Sequence, residues 1–163
     1  DLCSGSGAIA VALDKISGAK VTAVEIDETA FSYLETNVKE NNSSVKPVMA
    51  DALEICDTFA DGELDLIVSN PPYIKSADIE TLQKEVQLEP RLALDGGEDG
   101  CDFYREIVSR WSRKLKKGGA LAFELGENQA DAVKALMAEQ GFSDFKISLD
   151  FGGVQRAIIG TLL

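Results

Sequence analysis

The residues Asn70-Pro71-Pro72-Tyr73 combine side chains and backbone that could hold a flat amino group. They follow an apolar run over 64–69, so we expect them at the carboxyl end of a strand, where ligands of open α/β sheets bind. The two prolines fix φ at about −65° and remove two N–H donors. The corner then offers hydrogen-bond acceptors beside a flat ring, which suits a planar –NH2 group. An ordinary Pro-Pro turn after a strand is the alternative.

The first ten residues have the pattern of a strand, a glycine-rich turn and a helix start. Gly5 and Gly7 allow the backbone to approach a ligand without a Cβ clash. Glu25 ends the next apolar strand, where a carboxylate can accept hydrogen bonds from both hydroxyls of a ribose. These features predict a cofactor that contains a nucleoside, and they do not separate NAD from an adenosyl ligand.

A third strand end helps to separate the two cofactors. Asp51 is placed to accept a hydrogen bond from an adenine amino group, and Ile26 could cover the adenine face. Asp51 could equally be a turn residue or a helix N-cap. Three consecutive strand ends would then match S-adenosylmethionine. Asp1, Gly5 and Gly7 would hold its methionine end. Glu25 would hold the ribose, and Asp51 the adenine. NAD would leave the Asn70 corner unexplained.

Strand and helix signals alternate along the chain, which predicts an α/β fold. We expect a Rossmann-like, seven-stranded, mostly parallel sheet with helices on both faces and an antiparallel edge strand. The strands are predicted over 1–3, 21–25, 45–49, 64–69, 120–125, 145–149 and 157–163, and the helices over 7–16, 28–41, 101–117 and 129–140. Residues 74–99 are charged and show little periodicity. A loop of that length inside a compact domain is usually functional.

Composition narrows the class of protein. The 163 residues, 45% of them apolar, are enough for one domain with a substantial core, which we assign to residues 1–163. Sixteen basic and 28 acidic residues give a net charge of −12, which argues against direct binding of nucleic acid. The basic residues between 110 and 117 are expected to complement a helix C-terminus instead.

Several classes of site are excluded or disfavoured by residue type. The chain has no histidine, so an imidazole base or a His-bound metal is excluded within it, and we predict no metal site. Three widely spaced cysteines fit neither a disulfide framework nor a metal pattern, which indicates an intracellular protein. No apolar run reaches the roughly 18 residues that a membrane span requires, so we expect no membrane partner. The extended stretch over 1–3 is shorter than a usual strand, which predicts a fragment whose first strand is incomplete.

Three segments resemble the class I S-adenosylmethionine methyltransferases of the HemK/PrmC type, which methylate a glutamine in peptide chain release factors. These segments are residues 1–7, 69–74 and 89–100, and the third is the most typical of glutamine methyltransferases. Glu124-Leu125-Gly126 also fits. Cys3 stands where the family commonly has glycine, and Glu25 where it commonly has aspartate.

The resemblance implies transfer of a methyl group from S-adenosylmethionine to the side-chain amide nitrogen of the glutamine in a Gly-Gly-Gln motif, with S-adenosylhomocysteine as product. It implies a release factor as partner, a cytoplasmic location, and a family N-terminal helical domain that is absent from these residues. The implied cofactor-binding residues are Asp1, Cys3, Ser4, Gly5, Ser6, Gly7, Glu25, Ile26, Asp51, Ala52 and Asn70. The implied substrate-binding residues are Asn70, Pro71, Pro72 and Tyr73, with catalytic roles for Asn70, Pro71 and Tyr73.

Three other functions stay open at this point. An N6-adenine methyltransferase acting on DNA or RNA would share the Asn70 corner, because adenine N6 is also a planar amino group that base flipping exposes. A nonenzymatic domain could keep the cofactor fold as a scaffold. An NAD-linked oxidoreductase would share the glycine-rich turn.

Overall fold

The computed structural model describes residues 1–163 as alternating strands and helices. The helices are α1 (Ala8–Ser17), α2 (Glu28–Glu40), α3 (Arg91–Leu94), α4 (Asp102–Trp111) and α5 (Ala130–Glu139). The strands are β1 (Thr22–Glu25), β2 (Lys46–Met49), β3 (Leu64–Ser69), β4 (Leu115–Glu124), β5 (Phe142–Leu149) and β6 (Gln155–Leu162). Short 3₁₀ helices cover Ile55–Thr58, Ile79–Thr81, Val86–Leu88 and Ser112–Lys114.

The strands form two groups that a single residue joins. β1 pairs with β2 in parallel, β3 pairs with β4 in parallel, and β6 lies antiparallel between β4 and β5. Leu2 makes parallel bridges to Val24 of β1 and to Ser69 of β3. The carboxyl ends of β1, β2 and β3 therefore meet at one edge, next to the turn that follows Leu2.

The predicted α/β class is confirmed, and two details of the predicted sheet are corrected. The structure has six strands rather than seven. The stretch predicted as the first strand is reduced to the bridge at Leu2, because Cys3 already adopts a φ of +54° that extended backbone does not have. The edge strand β5 is antiparallel to its neighbour β6, as predicted, and β6 is also antiparallel to β4.

The segment after α4 differs from its prediction as a helix through residue 117. Helix α4 ends at Trp111, and Leu115 already pairs with Leu64 of β3. The register then shifts before Leu66 pairs with Ala120, so the residues between form an irregular strand start. Tertiary pairing with β3 overrides the local helix signal here.

Helices cover both faces of the sheet, as predicted. Neighbouring residues of a strand point to opposite faces, and here Ala23 belongs to a small core with α1 and α2 while Val24 belongs to the main core. The main core contains Tyr104 and Trp111 of α4, both almost fully buried. The opposite face of β3, β4 and β6 is more open: Leu66 is 39% and Ile159 37% exposed.

The segment predicted as a long loop contains two 3₁₀ helices and the short helix α3. Ile74 donates its N–H to the Leu94 carbonyl at 2.9 Å, and Gly96 donates to the Ile74 carbonyl at 2.8 Å. These bonds fold the segment back so that both of its ends lie beside the loop that follows β3.

No helix in the structure has the length and apolar character that crossing a bilayer requires.

Gly7, which begins α1, should tolerate no side chain. It has a φ of +80°, and a Cβ there would overlap the Leu34 side chain of the small core. Gly18, which ends the same helix, has a φ of +69°, and a Cβ added to it would meet no atom within 4 Å. We expect Gly18→Ala to lose about 1–2 kcal/mol of the free energy of unfolding from backbone strain alone. Gly7→Ala should lose a further 1–3 kcal/mol, roughly, from overpacking.

Denaturant unfolding of the two variants beside the unchanged protein measures both losses. Equal losses of the free energy of unfolding in the two variants would show that contact with Leu34 does not restrict the side chain that residue 7 can have.

Candidate active site

A cavity of about 650 Å³ opens where the strand ends meet. That volume lies within the range typical of small-molecule sites, roughly 300–1,000 Å³. Its walls contain the turn over 3–6, the ends of β1 and β2, and the loop over 70–74. The far wall comes from the segment between 86 and 94 and from Phe103 of α4.

The glycine-rich turn forms one end of the cavity. Cys3, Gly5 and Gly7 have φ values of +54°, +54° and +80°, so three residues of this turn adopt left-handed backbone. Cys3, Ser4, Gly5 and Ser6 line the cavity. Gly7 does not line it, and serves instead as the residue that starts α1.

Asp1 does not line the cavity, and its side chain instead contacts the start of α1 behind the turn. Its Oδ2 accepts a hydrogen bond from the Ala10 N–H at 2.9 Å, which ties the start of the chain to α1. Its Oδ1 and the Ser4 hydroxyl are buried with no hydrogen-bond partner in the protein. Buried polar atoms are usually satisfied, so the Ser4 hydroxyl, which belongs to a lining residue, is available to a bound ligand.

Glu25 is 8% exposed and lies in the cavity wall. Its Oε2 accepts from the Gly5 N–H at 2.6 Å, and its Oε1 accepts from the Ile26 and Asp27 N–H groups at 2.9 Å each. A carboxylate has about four lone-pair sites, so one site on Oε2 is left for a ligand. Glu25 thus fixes the turn as well as lining the site, a structural role that sequence analysis did not anticipate.

The end of β2 supplies the next part of the wall. Asp51 accepts a hydrogen bond from the Leu53 N–H at 2.7 Å through Oδ1, so it is a turn residue, and it also lines the cavity. Ala52 is buried in the wall, and Ile26 lies opposite the turn with 46% of its surface exposed. The two alternatives weighed for Asp51 are therefore compatible with each other.

The corner over 70–73 closes the cavity beside the turn. Asn70 is exposed, lines the cavity, and its side chain makes no hydrogen bond to the protein. Pro71 and Pro72 are buried, and neither the Asn70 nor the Pro71 carbonyl accepts a hydrogen bond from the protein. The corner thus presents three free acceptor oxygens on a backbone that the proline rings hold fixed.

Tyr73 lies at the end of this corner, half-buried. Its hydroxyl donates a long hydrogen bond of 3.4 Å to Glu124 Oε1 at the end of β4. Burial, assisted by the Glu124 carboxylate, raises the pKa of the phenol above its usual value. Tyr73 therefore stays neutral across the physiological pH range.

The charges in the cavity have one sign. Its wall contains four carboxylates and no lysine or arginine; the carboxylates belong to Glu25, Asp27, Asp51 and Glu89. Such a cavity favours a ligand that carries positive charge, whereas a pyrophosphate would be repelled. No group of three or more metal-ligating side chains is arranged to hold an ion.

Cys3 is the unusual residue of the turn. Burial is the largest cause that raises the pKa of its thiol to about 12; a hydrogen bond with Ser69 opposes the shift, and the Glu25 and Asp51 carboxylates add to it. Since only the thiolate is nucleophilic, Cys3 is a wall residue with no reactive role.

Sequence analysis found the three strand ends and the Asn70 corner, and it missed the opposite wall. Val86, Glu89, Leu92 and Leu94 line the cavity because the segment after Tyr73 folds back on the corner. Phe103 of α4, which also lines the cavity, was not singled out in the sequence. Glu98, in the same charged segment as Glu89, does not line the cavity.

The fold and the site together define an α/β domain with a cavity at the carboxyl edge of its parallel strands. Residues 1–98, more than half of the chain, match the family model described as "Methyltransferase small domain". The chain belongs to this family.

Individual relatives share this assignment. A release factor glutamine methyltransferase of Geobacter sulfurreducens is 42% identical over 164 residues, which cover 99% of this chain and 57% of that protein. A ribosomal protein uL3 glutamine methyltransferase of Francisella tularensis is 35% identical over 130 residues, 79% of this chain and 41% of that protein. The crystal structure of a methyltransferase from Pyrococcus furiosus superposes with a TM-score of 0.74 at 25% identity, covering 97% of this chain and 71% of that one. The chain thus spans about half the length of the curated relatives it matches.

Proposed function

We propose that this domain transfers a methyl group from S-adenosylmethionine to the side-chain amide nitrogen of a glutamine in a peptide chain release factor. The observation that carries the proposal is the corner at Asn70 and Pro71, whose three acceptor oxygens are free of protein partners and line the same cavity as the glycine-rich turn. The name of the Geobacter sulfurreducens relative supports the choice of acceptor.

The residues present fit S-adenosylmethionine. The cofactor carries positive charge on its sulfur and amino group, and the cavity wall has four carboxylates without a basic residue. We assign the methionine end to the turn with its unpartnered Ser4 hydroxyl, with Asp1 and Gly7 supporting that turn. The ribose goes to Glu25, and the adenine to Asp51, Ala52 and Ile26. When bound, S-adenosylmethionine supplies a methyl carbon on a positively charged sulfur, so that an N–C bond can form as the C–S bond breaks.

The Asn70 corner would compensate for the low nucleophilicity of the amide nitrogen. An amide nitrogen is a poor nucleophile because its lone pair is delocalised into the carbonyl, the same resonance that makes the peptide bond planar. Asn70 Oδ1 and the Pro71 carbonyl would each accept one N–H of the acceptor amide. As positive charge develops on the nitrogen, both acceptors bind it more strongly than in the ground state, which lowers the barrier.

Tyr73 and the prolines supply orientation. The ring of Tyr73 would hold the plane of the amide while the fixed backbone of the corner sets the direction of its nitrogen. Orientation of two bound reactants is worth at most roughly 7–11 kcal/mol. The chain needs no strong base, because a nitrogen that has become positive releases its proton to water.

The N6-adenine alternative is not favoured. It would need a surface that binds phosphates, and four of the five basic residues between 110 and 117 are paired with acidic side chains. The ion pairs are Arg110–Glu106, Arg113–Asp57, Lys114–Asp61 and Lys116–Asp65. A glutamine of ribosomal protein uL3 is a second candidate acceptor, since one relative carries that name. The cytoplasmic location stays a prediction.

Glu25→Ala should weaken binding of S-adenosylmethionine. A hydrogen bond to a charged group contributes about 1.5–3 kcal/mol, so we expect the dissociation constant to rise by roughly 10- to 150-fold. Isothermal titration calorimetry measures the change. Glu28→Ala, which removes an exposed carboxylate outside the cavity wall, is the matched control. Unchanged affinity in a Glu25→Ala protein that still unfolds cooperatively would remove Glu25 from the ribose site.

Asn70→Ala should reduce turnover far more than cofactor affinity. Loss of one group that stabilises transition-state charge costs about 10²–10³-fold in kcat. Single-turnover kinetics and calorimetry separate the two effects, and Asn41→Ala, an exposed asparagine at the end of α2, serves as the control. An equal loss of turnover and affinity would make Asn70 a cofactor ligand only.

The acceptor is tested by incubating the natural polypeptide that carries these residues with labelled S-adenosylmethionine and a release-factor peptide containing Gly-Gly-Gln. We expect one methyl group on the glutamine side chain by mass spectrometry. A peptide with glutamate in place of that glutamine should stay unlabelled, and so should the reaction with Asn70→Ala. Label on a uL3 peptide alone would change the acceptor, and label on nucleic acid alone would overturn the proposal.

A further inference from the structure

The proline rings fix the backbone of the Asn70 corner only as far as Pro72. Other contacts must therefore hold Tyr73 in position. Beyond Tyr73 the chain pairs with the segment at 94–96 through Ile74. Between these two anchors, the Tyr73 carbonyl accepts a hydrogen bond from a side chain distant in sequence. That side chain is Gln129, which immediately precedes α5.

Gln129 is 9% exposed, and both ends of its amide make hydrogen bonds. Its Nε2 donates to the Tyr73 carbonyl at 2.9 Å and to the Gly100 carbonyl at 3.1 Å. Its Oε1 accepts from the Gly126 N–H at 2.9 Å. It also lies 3.3 Å from the Tyr104 hydroxyl, whose single proton is shared with the closer Glu124 carbonyl at 2.9 Å. A primary amide has two donors and two acceptor lone pairs, so both donors and one acceptor site are fully used, and the second acceptor site has a shared donor. Two carbonyls on one side and an N–H on the other also fix which end is oxygen.

Three glycines make this enclosure of Tyr73 sterically possible. A Cβ at Gly96 would lie 2.7 Å from the Tyr73 Cα and 2.9 Å from the Pro72 carbonyl oxygen. A Cβ at Gly126 would lie 3.0 Å from the Tyr73 ring, and one at Gly100 would overlap the Tyr73 carbonyl oxygen. Tyr73 therefore sits in a socket formed by these glycines and the Gln129 amide.

We propose that Gln129 is a positioning residue for the acceptor: it holds the Tyr73 backbone, and through it the ring and the adjoining proline turn, in the orientation that receives the glutamine amide. This inference rests on the proposed function. Gln129 does not line the cavity and does not touch the reacting atoms. Its side chain makes no hydrogen bond to the turn, Glu25 or Asp51, so its effect should fall on the acceptor and leave cofactor binding unchanged.

The decisive variant is Gln129→Glu, which keeps the shape and turns the two donors into an acceptor that faces two carbonyls. We expect kcat on a glutamine peptide to fall at least about tenfold, since small misplacements of reacting groups have large effects on rate. The dissociation constant of S-adenosylmethionine should stay within about twofold of its original value, because no cofactor contact changes. Gln140→Glu, the same chemical change at an exposed residue after α5, should alter neither quantity.

A second measurement does not depend on the acceptor. Amide hydrogen exchange of the peptide spanning 70–76 should be faster in Gln129→Glu than in the unchanged protein, while exchange of the turn over 3–7 stays the same. If the unchanged protein fails to methylate glutamine, the proposed function fails, and this exchange comparison still decides whether Gln129 positions Tyr73. Tyr104→Phe, which removes one donor to Gln129, provides a milder test in the same direction should Gln129→Glu not fold.

Unchanged exchange over 70–76 in a folded variant would overturn the proposal. So would a loss of cofactor affinity in proportion to the loss of kcat, because that would indicate a general structural role.

Discussion

Leu2 pairs in parallel with β1 on one side and β3 on the other, and the geometry of the site depends on this pairing. Parallel strands place their carboxyl ends at the same edge, so the turn after Leu2, the end of β1 at Glu25 and the loop after β3 become neighbours. The Leu2 N–H donates to the Val68 carbonyl and the Val24 N–H donates to the Asp1 carbonyl, both at 2.9 Å. Few residues make this connection, and the two halves of the cavity lie on either side of it.

The two halves of the cavity differ in the chemical groups that they offer to a ligand. The half around the glycine-rich turn is acidic, and its key carboxylate is held in place by three backbone N–H groups. The corner over 70–73 itself has no charged side chain and presents acceptor oxygens on a fixed backbone. The first arrangement attracts a cation by long-range charge, and the second selects a donor group by geometry. The proposed reaction, which brings an electrophilic cation to a neutral amide, would use both.

Rigidity in this site has two sources: prolines restrict the backbone, and glycines leave room for close packing. The prolines fix the corner from within, whereas glycines at 96, 100 and 126 let other chain segments approach Tyr73 closely. Gln129 completes the enclosure with an amide whose two ends are both hydrogen-bonded to the protein. These contacts restrict the movement of Tyr73 without placing a charged group against it.

The sequence by itself determined the α/β class, the strand over 64–69 and the residue types at the strand ends, because short apolar runs, glycines and prolines act locally. Tertiary structure decided three other matters. Leu115 joined β4 rather than α4 because pairing with Leu64 outweighs local helix preference. Glu25 became a ligand of the turn because Gly5 lies opposite it. The walls at Glu89 and Phe103, and the bond from Gln129 to Tyr73, join residues far apart in sequence, and no local pattern encodes such contacts.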